Sequence, residues 1–433
     1  MIEIFSLFLT LCSLLIFSNL PLNFYLIKKK LNINITFSES MLINLIINFN
    51  LLLICSFFLI NLNYLFSVYL IGIIVISFIY FKDFLKLIIK NIFLNIFFII
   101  IFYSISIAII KNAYLDWDGL AHWIFKASVY YDGGEYKDLV GLPFDHYPHL
   151  GSYIWAFFWK NSLIQNEYSG RLFFIFIFLI SIFSLTSQFN KKFSNFEKLF
   201  FIFVIVYLST NLFLFGGYQE YFLFFVFFCF SHFLIKFFLS KKINNLNYYP
   251  EILILLTANT IMWIKQEGFF YYIILNLLFL IHAKRDFLNK FIFTIFALVI
   301  LFCFFYLKNI YFGSVEFSES IINNETFKNF QFKYLIGKIF IICKYFMITF
   351  FKYPIWILIL LSILYMCIKY NFFNKYKFVV TYLILTFSFV FMIFLNTPED
   401  LSWLAPLTLN RVVFALSGFL IFICVDLLNK VKE

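Results

Sequence analysis

The chain has 433 residues, of which 64% are hydrophobic and 13% charged, with a net charge of +11. No soluble core needs that share of apolar side chains, so a soluble globular fold is excluded and a helical membrane protein remains, since in lipid a helix satisfies its own backbone. The charge does not point to nucleic acid, because the basic residues fall in short clusters between apolar runs, as in loops that face the cytoplasm.

Apolar runs at about 4–27, 41–62, 64–81 and 91–111 are long enough to cross a bilayer. The positive-inside rule puts Lys28–Lys30 and the set Lys82, Lys86 and Lys90 in the cytoplasm, and hence the N-terminus and residues 112–170 outside. Lys28–Lys30 follow the first run, so it reads as a retained span and not a cleaved signal peptide. Spans near 171–189 and 197–215 enclose Lys191, Lys192 and Lys198 inside; Gly216-Gly217-Tyr218-Gln219-Glu220 then emerges outside. A span to about 239 ends at Lys241-Lys242. The run 250–282 holds two spans broken outside at Lys265-Gln266-Glu267-Gly268, and Arg285 returns to the cytoplasm.

After a span at 291–311 comes a polar segment, 312–332. Residues 333–352 carry Lys333, Lys338, Lys344 and Lys352 among apolar residues and read as an amphipathic helix on the outer face. Spans at 354–369, 378–395 and 411–428 complete about 13, and fourteen of the 22 acids then lie outside or at outer edges. The expectation is an all-α polytopic membrane protein, 1–433, forming a single integral membrane domain. Its parts are four N-terminal spans (1–111), an outer loop with amphipathic helices (112–170), central spans (171–311), an outer loop with the interfacial helix (312–353) and C-terminal spans (354–433). Segment 148–162, apolar but short, reads as a half-inserted helix on the outer face. The seven cysteines all lie in apolar segments with no CxxC pair, as small hydrophobes do.

Residues 116–159 stand out from this background. They hold four of the seven Trp, five of the thirteen Gly and three of the five His. Asp118 and His122 are four apart and share a helix face, while Asp116 belongs at the turn entering that helix, where a carboxylate also caps free N–H groups. Either aspartate has the chemistry to deprotonate a hydroxyl or to hold a divalent ion. The other outer polar residues are His146, Tyr147 and His149; Glu167 with Arg171; Glu220; Lys265 with Glu267; and Asp400 with Arg411. Arg171 and Arg411 sit at outer ends of spans, against the charge rule, as headgroup anchors or phosphate-binding forks. Lys265 reads either as an interfacial partner of Glu267 or as a phosphate-binding lysine. Trp155, Trp159 and Trp403 fit an interfacial belt or a sugar-stacking role. No HxxxH or HExxH pattern supports zinc, and no Walker, GxSxG or dinucleotide fingerprint is present.

Taken together, these motifs resemble the GT-C superfamily, membrane glycosyltransferases that use polyprenyl-phosphate-linked sugars, in the branch related to protein mannosyltransferases and the lipid A aminoarabinose transferase. Asp116-Trp117-Asp118-Gly119-Leu120-Ala121-His122-Trp123 is similar to the first-loop motif, and Tyr147-Pro148-His149-Leu150 to a Tyr-Pro-Pro-Leu-like segment. Glu167 with Arg171-Leu172, Gly217-Tyr218-Gln219-Glu220, Lys265-Gln266-Glu267-Gly268 and Ser402-Trp403 with Asn410-Arg411-Val412 resemble later elements. The chain departs from the pattern in having four spans before the motif, Glu220 where Asp is usual, and no large soluble C-terminal domain.

The resemblance implies transfer of a sugar from a polyprenyl-phosphate carrier to a glycan, lipid or protein acceptor at the outer face of a bacterial cytoplasmic membrane, with inversion. Asp118, Asp116 and Glu220 would be catalytic, and His122, Tyr147, His149, Arg171, Lys265, Glu267 and Arg411 would bind substrate or its phosphate. The resemblance leaves the use of a divalent cation (Mg or Mn) open; if one takes part, Asp116, Asp118 and Glu220 are its ligands. Membrane lipids are the remaining partners. Two other readings stand beside it. An O-antigen polymerase or ligase would depend more on outer Arg and His. A flippase or transporter would place ionisable residues deep in its spans and show repeat symmetry.

Overall fold

The structure, a computed structural model, describes residues 2–19, 37–79, 89, 92–112, 114–162, 166–239, 249–312, 332–370, 373, 376–397 and 400–433. Several charges used for the topology lie outside these residues: Lys28–Lys30, Lys82, Lys86, Lys90, Lys241, Lys242, Glu316, Glu319, Glu325, Lys375 and Glu399. The described residues contain helices and turns and no strand. They form two compact units, one of residues 1–225 with 263–266 and one of 226–262 with 267–433.

The first unit contains α1 (Ile2–Asn19), α2 (Phe37–Cys55), α3 (Leu62–Ile79), α4 (Ile92–Asn112), α5 (Ile124–Tyr131), α6 (Leu150–Lys160), α7 (Glu167–Ser184), α8 (Asn195–Ser209) and the start of α9 (Glu220–Phe233). Its axis is α7, buried from Ser169 to Ser184 and packed against α1, α2, α4, α6 and α8. Phenylalanine fills the interior. Phe173 stacks on Phe158 at 5.7 Å, and Phe49 meets Phe173 and Phe222 edge-on at 5.5 and 4.9 Å. Such pairs add about 0.5–1.5 kcal/mol each beyond the area they bury. Ser194 and Glu197 form a capping box that starts α8. The span expected at 197–215 stops at Ser209, because Asn211 caps a separate 3-10 turn, Leu212–Phe215.

The second unit contains α10 (Tyr249–Met262), α11 (Gly268–His282), α12 (Phe287–Phe312), α13 (Phe332–Lys352), α14 (Pro354–Lys369), α15 (Lys377–Asn396), α16 (Leu401–Leu420) and α17 (Phe422–Lys432). Helices α10 and α11 pair, and the buried Arg285–Glu251 ion pair, 2.6 Å, ties the end of that hairpin to its beginning. Lys338 on α13 donates to the Leu395 and Thr397 carbonyls at 3.1 and 2.9 Å, supplying a cation to the open C-terminus of α15. Helices α13 and α14 meet at a 96° bend, where Pro354 begins the second helix. Such a bend belongs to a broken span or to a re-entrant pair of helices.

Among the described residues, seven helices are long and apolar enough to cross a membrane, or eight if the bent pair is one span. The chain is a membrane-embedded helical protein. Four of the 13 expected spans are represented by shorter apolar helices, at Ser6–Ser18, Leu62–Gly72, Tyr249–Met262 and Gly268–His282. The last expected span begins ten residues early. Asp400 accepts the Ser402 N–H at 2.9 Å and starts α16 there, so Arg411 lies inside a helix and not at its outer end.

Candidate functional site

The stretch 114–123 leaves α4 extended and then turns into a helix. Asp116 stands at that turn, as its sequence position suggests: its Oδ1 accepts the Trp117 N–H at 2.7 Å, covering a free donor of the helix start. Its own N–H donates to the Gly216 carbonyl at 2.9 Å. Residues 119–123 then form a π turn that runs into α5. Such turns are frequent at functional sites.

The two backbones joined by that hydrogen bond come unusually close. A Cβ on Gly119 would lie 2.6 Å from the Gly216 carbonyl oxygen, and one on Gly217 would lie 2.8 Å from Gly119 Cα. Gly217 also has φ +99°, a conformation that glycine adopts readily. Glycine on both sides therefore fits the Asp116–Gly119 segment against the turn that opens α9. Arg171 fixes the other end of the stretch. Its Nε and Nη2 take both Glu167 oxygens at 2.7 and 3.0 Å, and Nη1 donates to the Tyr114 carbonyl at 2.8 Å. Its fork is spent on Glu167 and on the backbone.

Glu220 is fully buried at the N-terminus of α9, where the helix dipole favours a carboxylate. Lys265 donates to its Oε1 at 3.0 Å. Lys265 thus pairs with Glu220, an acid that its position in the sequence did not suggest. Residues 263–266 are held by the Leu150 N–H, which donates to the Trp263 carbonyl at 3.0 Å. His149 packs edge-on against Trp263 at 5.4 Å and lies within hydrogen-bond distance, 2.6 Å, of the Ser56 hydroxyl through Nε2. Tyr130, Tyr136 and Tyr153 complete this aromatic cluster, and burial pushes the Tyr130 and Tyr153 hydroxyls well above the usual phenol range. Both phenols keep their protons at neutral pH.

Asp116 and Asp118 are 8% and 9% exposed. Asp116 Oδ2 and both amide atoms of Gln219 are buried without a hydrogen-bond partner in the chain. Such atoms cost about 1–3 kcal/mol each, so they mark where a site admits water or ligand. Gln219 occupies the space that a side chain at position 151 would need: a Cβ on Gly151 would lie 1.9 Å from its Oε1. A cavity of 380 Å³, lined by Tyr114, Arg171, Phe213 and Gly216 among others, adjoins Asp116 through Gly216.

His122 is buried in an aromatic cluster: it stacks on Tyr147 at 5.3 Å and meets Trp117 and Phe144 edge-on at 5.0 and 3.9 Å. Sequence reasoning missed four residues here. Lys126 is fully buried and donates to the Tyr147 carbonyl at 2.7 Å; it is four residues beyond His122, the one signal that could have found it. Phe144 has φ +55°, left-handed for a bulky residue. Trp117, beside the aspartates, and Gln219, beside Glu220, carried no signal beyond adjacency.

Asp116, Asp118, His122, Tyr147, His149, Arg171, Glu220 and Lys265 all belong to the first unit, whereas Glu267 and Arg411 belong to the second. Among the described residues no three His, Cys, Asp or Glu side chains gather closely enough to hold a metal ion, and Asp116, Asp118 and Glu220 do not form such a set. No protein-family model, curated protein or solved structure matches the chain.

Proposed function

We propose that the protein is a membrane glycosyltransferase that moves a sugar from a polyprenyl-phosphate carrier to an acceptor hydroxyl at the outer face of the membrane. The supporting observation is the Gly119–Gly217 junction, which sets the Asp116–Asp118 carboxylates against the turn that leads into the Glu220–Lys265 pair. The first-loop aspartates are thereby brought against the turn that precedes Glu220, an arrangement that suits a proton acceptor and a charge-stabilising pair.

In this reading Asp118 takes the proton of the acceptor hydroxyl. The oxygen attacks the anomeric carbon, and the bond from that carbon to the phosphate oxygen breaks, its electron pair leaving with the polyprenyl phosphate. Asp116 anchors the helix start through Oδ1 and presents Oδ2 to the same site. Lys265 and Arg171 meet a phosphate with their charge partly offset by Glu220 and Glu167, so each orients more than it attracts. The cavity beside Asp116 combines Arg171 with the apolar walls of Ile109, Leu212 and Phe213, which suits a phosphate followed by an isoprenoid chain. The polymerase or ligase reading is weaker, because His149 serves an internal contact with Ser56.

Transfer from a radiolabelled polyprenyl-phosphate sugar in proteoliposomes tests the proposal. Asp118→Asn is expected to lower the rate by about 10²–10⁴-fold, the usual worth of a general base. Asp116→Asn should cost as much or less. Full activity in both variants would discard the assignment.

A further inference from the structure

Phe144 is the one described non-glycine residue with positive φ, at +55°. A bulky side chain in that region is strained, and strain persists where the surroundings over-determine it. They do so here. The buried Lys126 donates to the Asp145 and Tyr147 carbonyls at 3.3 and 2.7 Å. Asp145 accepts the Gly141 N–H at 2.9 Å and the His146 N–H at 2.7 Å. The Tyr147 N–H donates to the Phe144 carbonyl at 3.0 Å. The chain from 141 to 147 is thus pinned at each end so that one ring is held out: Phe144 is 38% exposed, and its neighbour across His122, Trp117, is 63% exposed. The two rings meet at 70° with centroids 6.5 Å apart. Beside them the half-buried His146 and Asp145 side chains approach to 3.5 Å. Trp117 lies in the chain between Asp116 and Asp118.

An open pair of aromatic faces, a His–Asp rim and adjacent carboxylates match a pyranose. Its C–H face is apolar enough to lie on a ring, and its hydroxyl edge donates to carboxylates. A membrane anchor needs exposed aromatic residues as well, but it needs no strained backbone and no buried lysine to fix their angle. We infer that Trp117 and Phe144 form the acceptor subsite and that the acceptor is itself a sugar ring. This rests on the glycosyl-transfer reading above.

Saturation-transfer NMR tests it on the full chain in lipid nanodiscs, with methyl β-glucopyranoside, methyl β-galactopyranoside and methyl α-mannopyranoside as probes. Ring C–H protons of at least one pyranoside should receive saturation. Trp117→Ala and Phe144→Ala should each weaken that binding about tenfold, the worth of one aromatic contact. Trp117→Phe should keep most of it, and Trp403→Ala, an exposed tryptophan of the other unit, should change nothing. Because Trp117 is open to its surroundings, its replacement leaves the packed core intact. Failure of every probe to bind the wild type, or binding unaltered by Trp117→Ala, would overturn the inference. So would quenching of Trp117 by brominated phospholipid acyl chains, which marks an anchor. Transfer assayed in the same preparation separates the two proposals. Pyranoside binding that depends on Trp117, with transfer indifferent to Asp118→Asn, supports the subsite and removes the reaction. Transfer that depends on Asp118 without pyranoside binding removes the subsite and leaves the reaction.

Discussion

The two units bury charge in different ways. In the second, Lys338 is spent on backbone carbonyls at a helix end and Arg285 on Glu251 between helix ends. Each closes a gap in a scaffold of apolar helices. In the first unit, Lys126 and Arg171 do the same for the polar segment, and Lys265 pairs with the buried Glu220, which follows Gln219, whose amide atoms have no partner in the chain. Close backbone approach differs as well. Gly119, Gly134, Gly151, Gly170 and Gly217 are each packed too tightly for a Cβ in the first unit, against Gly268 in the second, among the described residues. A buried ion pair therefore does not distinguish a site from a scaffold. What sets the first unit apart is the number of close glycine contacts, among them those where the Asp116–Gly119 segment meets the Gly216–Gly217 turn.

Removing one charge from each unit gives the strongest test of that contrast. Lys265→Met removes a cation from the buried Glu220 and should cost about 3–5 kcal/mol, read as a lowered unfolding midpoint in detergent. Adding Glu220→Leu should restore most of the stability but not the transfer activity. Arg285→Met should cost a similar 3–5 kcal/mol or so, with transfer per folded molecule unchanged. Activity retained in the Lys265/Glu220 double variant would make that pair a scaffold like its counterpart. Glycine substitutions come next. Gly119→Ala and Gly268→Ala both force backbone apart, at about 1–3 kcal/mol each, but only Gly119→Ala should abolish transfer. Equal loss of activity in both would erase the distinction.

Lys126→Met should follow, costing about 1.5–3 kcal/mol for its lost hydrogen bonds to carbonyls and raising proteolysis within 141–147. The smallest effect is expected at Asp400, where the Ser402 N–H and hydroxyl hold an exposed carboxyl below the usual aspartate range. A depressed value contributes stability above the ordinary aspartate pKa and loses it as pH falls through the folded one. The midpoint difference between wild type and Asp400→Ala should thus be present at neutral pH and vanish in strong acid.

Helices were legible because apolar runs of span length have few other uses, and the breaks at 263–267 and 353 announced themselves through Lys265-Gln266-Glu267-Gly268 and Pro354. The compositional island at 116–159 contains Gly119, which packs against the Gly216–Gly217 turn. Pairings were not legible. Glu167 and Arg171, four apart on one helix, do pair, but nothing local told that the remaining Arg171 nitrogen would reach Tyr114. Lys265 pairs with an acid 45 residues away, in a segment held by the Leu150–Trp263 hydrogen bond, and nothing local announced that partner. Arg411 was misplaced because Asp400 caps a helix early and Pro406 is accommodated inside it. Pattern reveals how long a helix is; which ends meet is decided by contacts between distant segments.

The hydrogen bond from Asp116 to Gly216 also sets a schedule for biogenesis. About a hundred residues of chain, including α7 and α8, must leave the ribosome between its two ends, roughly 5–20 s of synthesis. Lys265 arrives another 45 residues after Glu220. Until then the aspartates have no turn to rest on and Glu220 has no cation. A nascent chain arrested before residue 216 would therefore carry the Asp-Trp-Asp-Gly motif in an unlocked state, open to protease, and would gain protection in one step once the later segments insert.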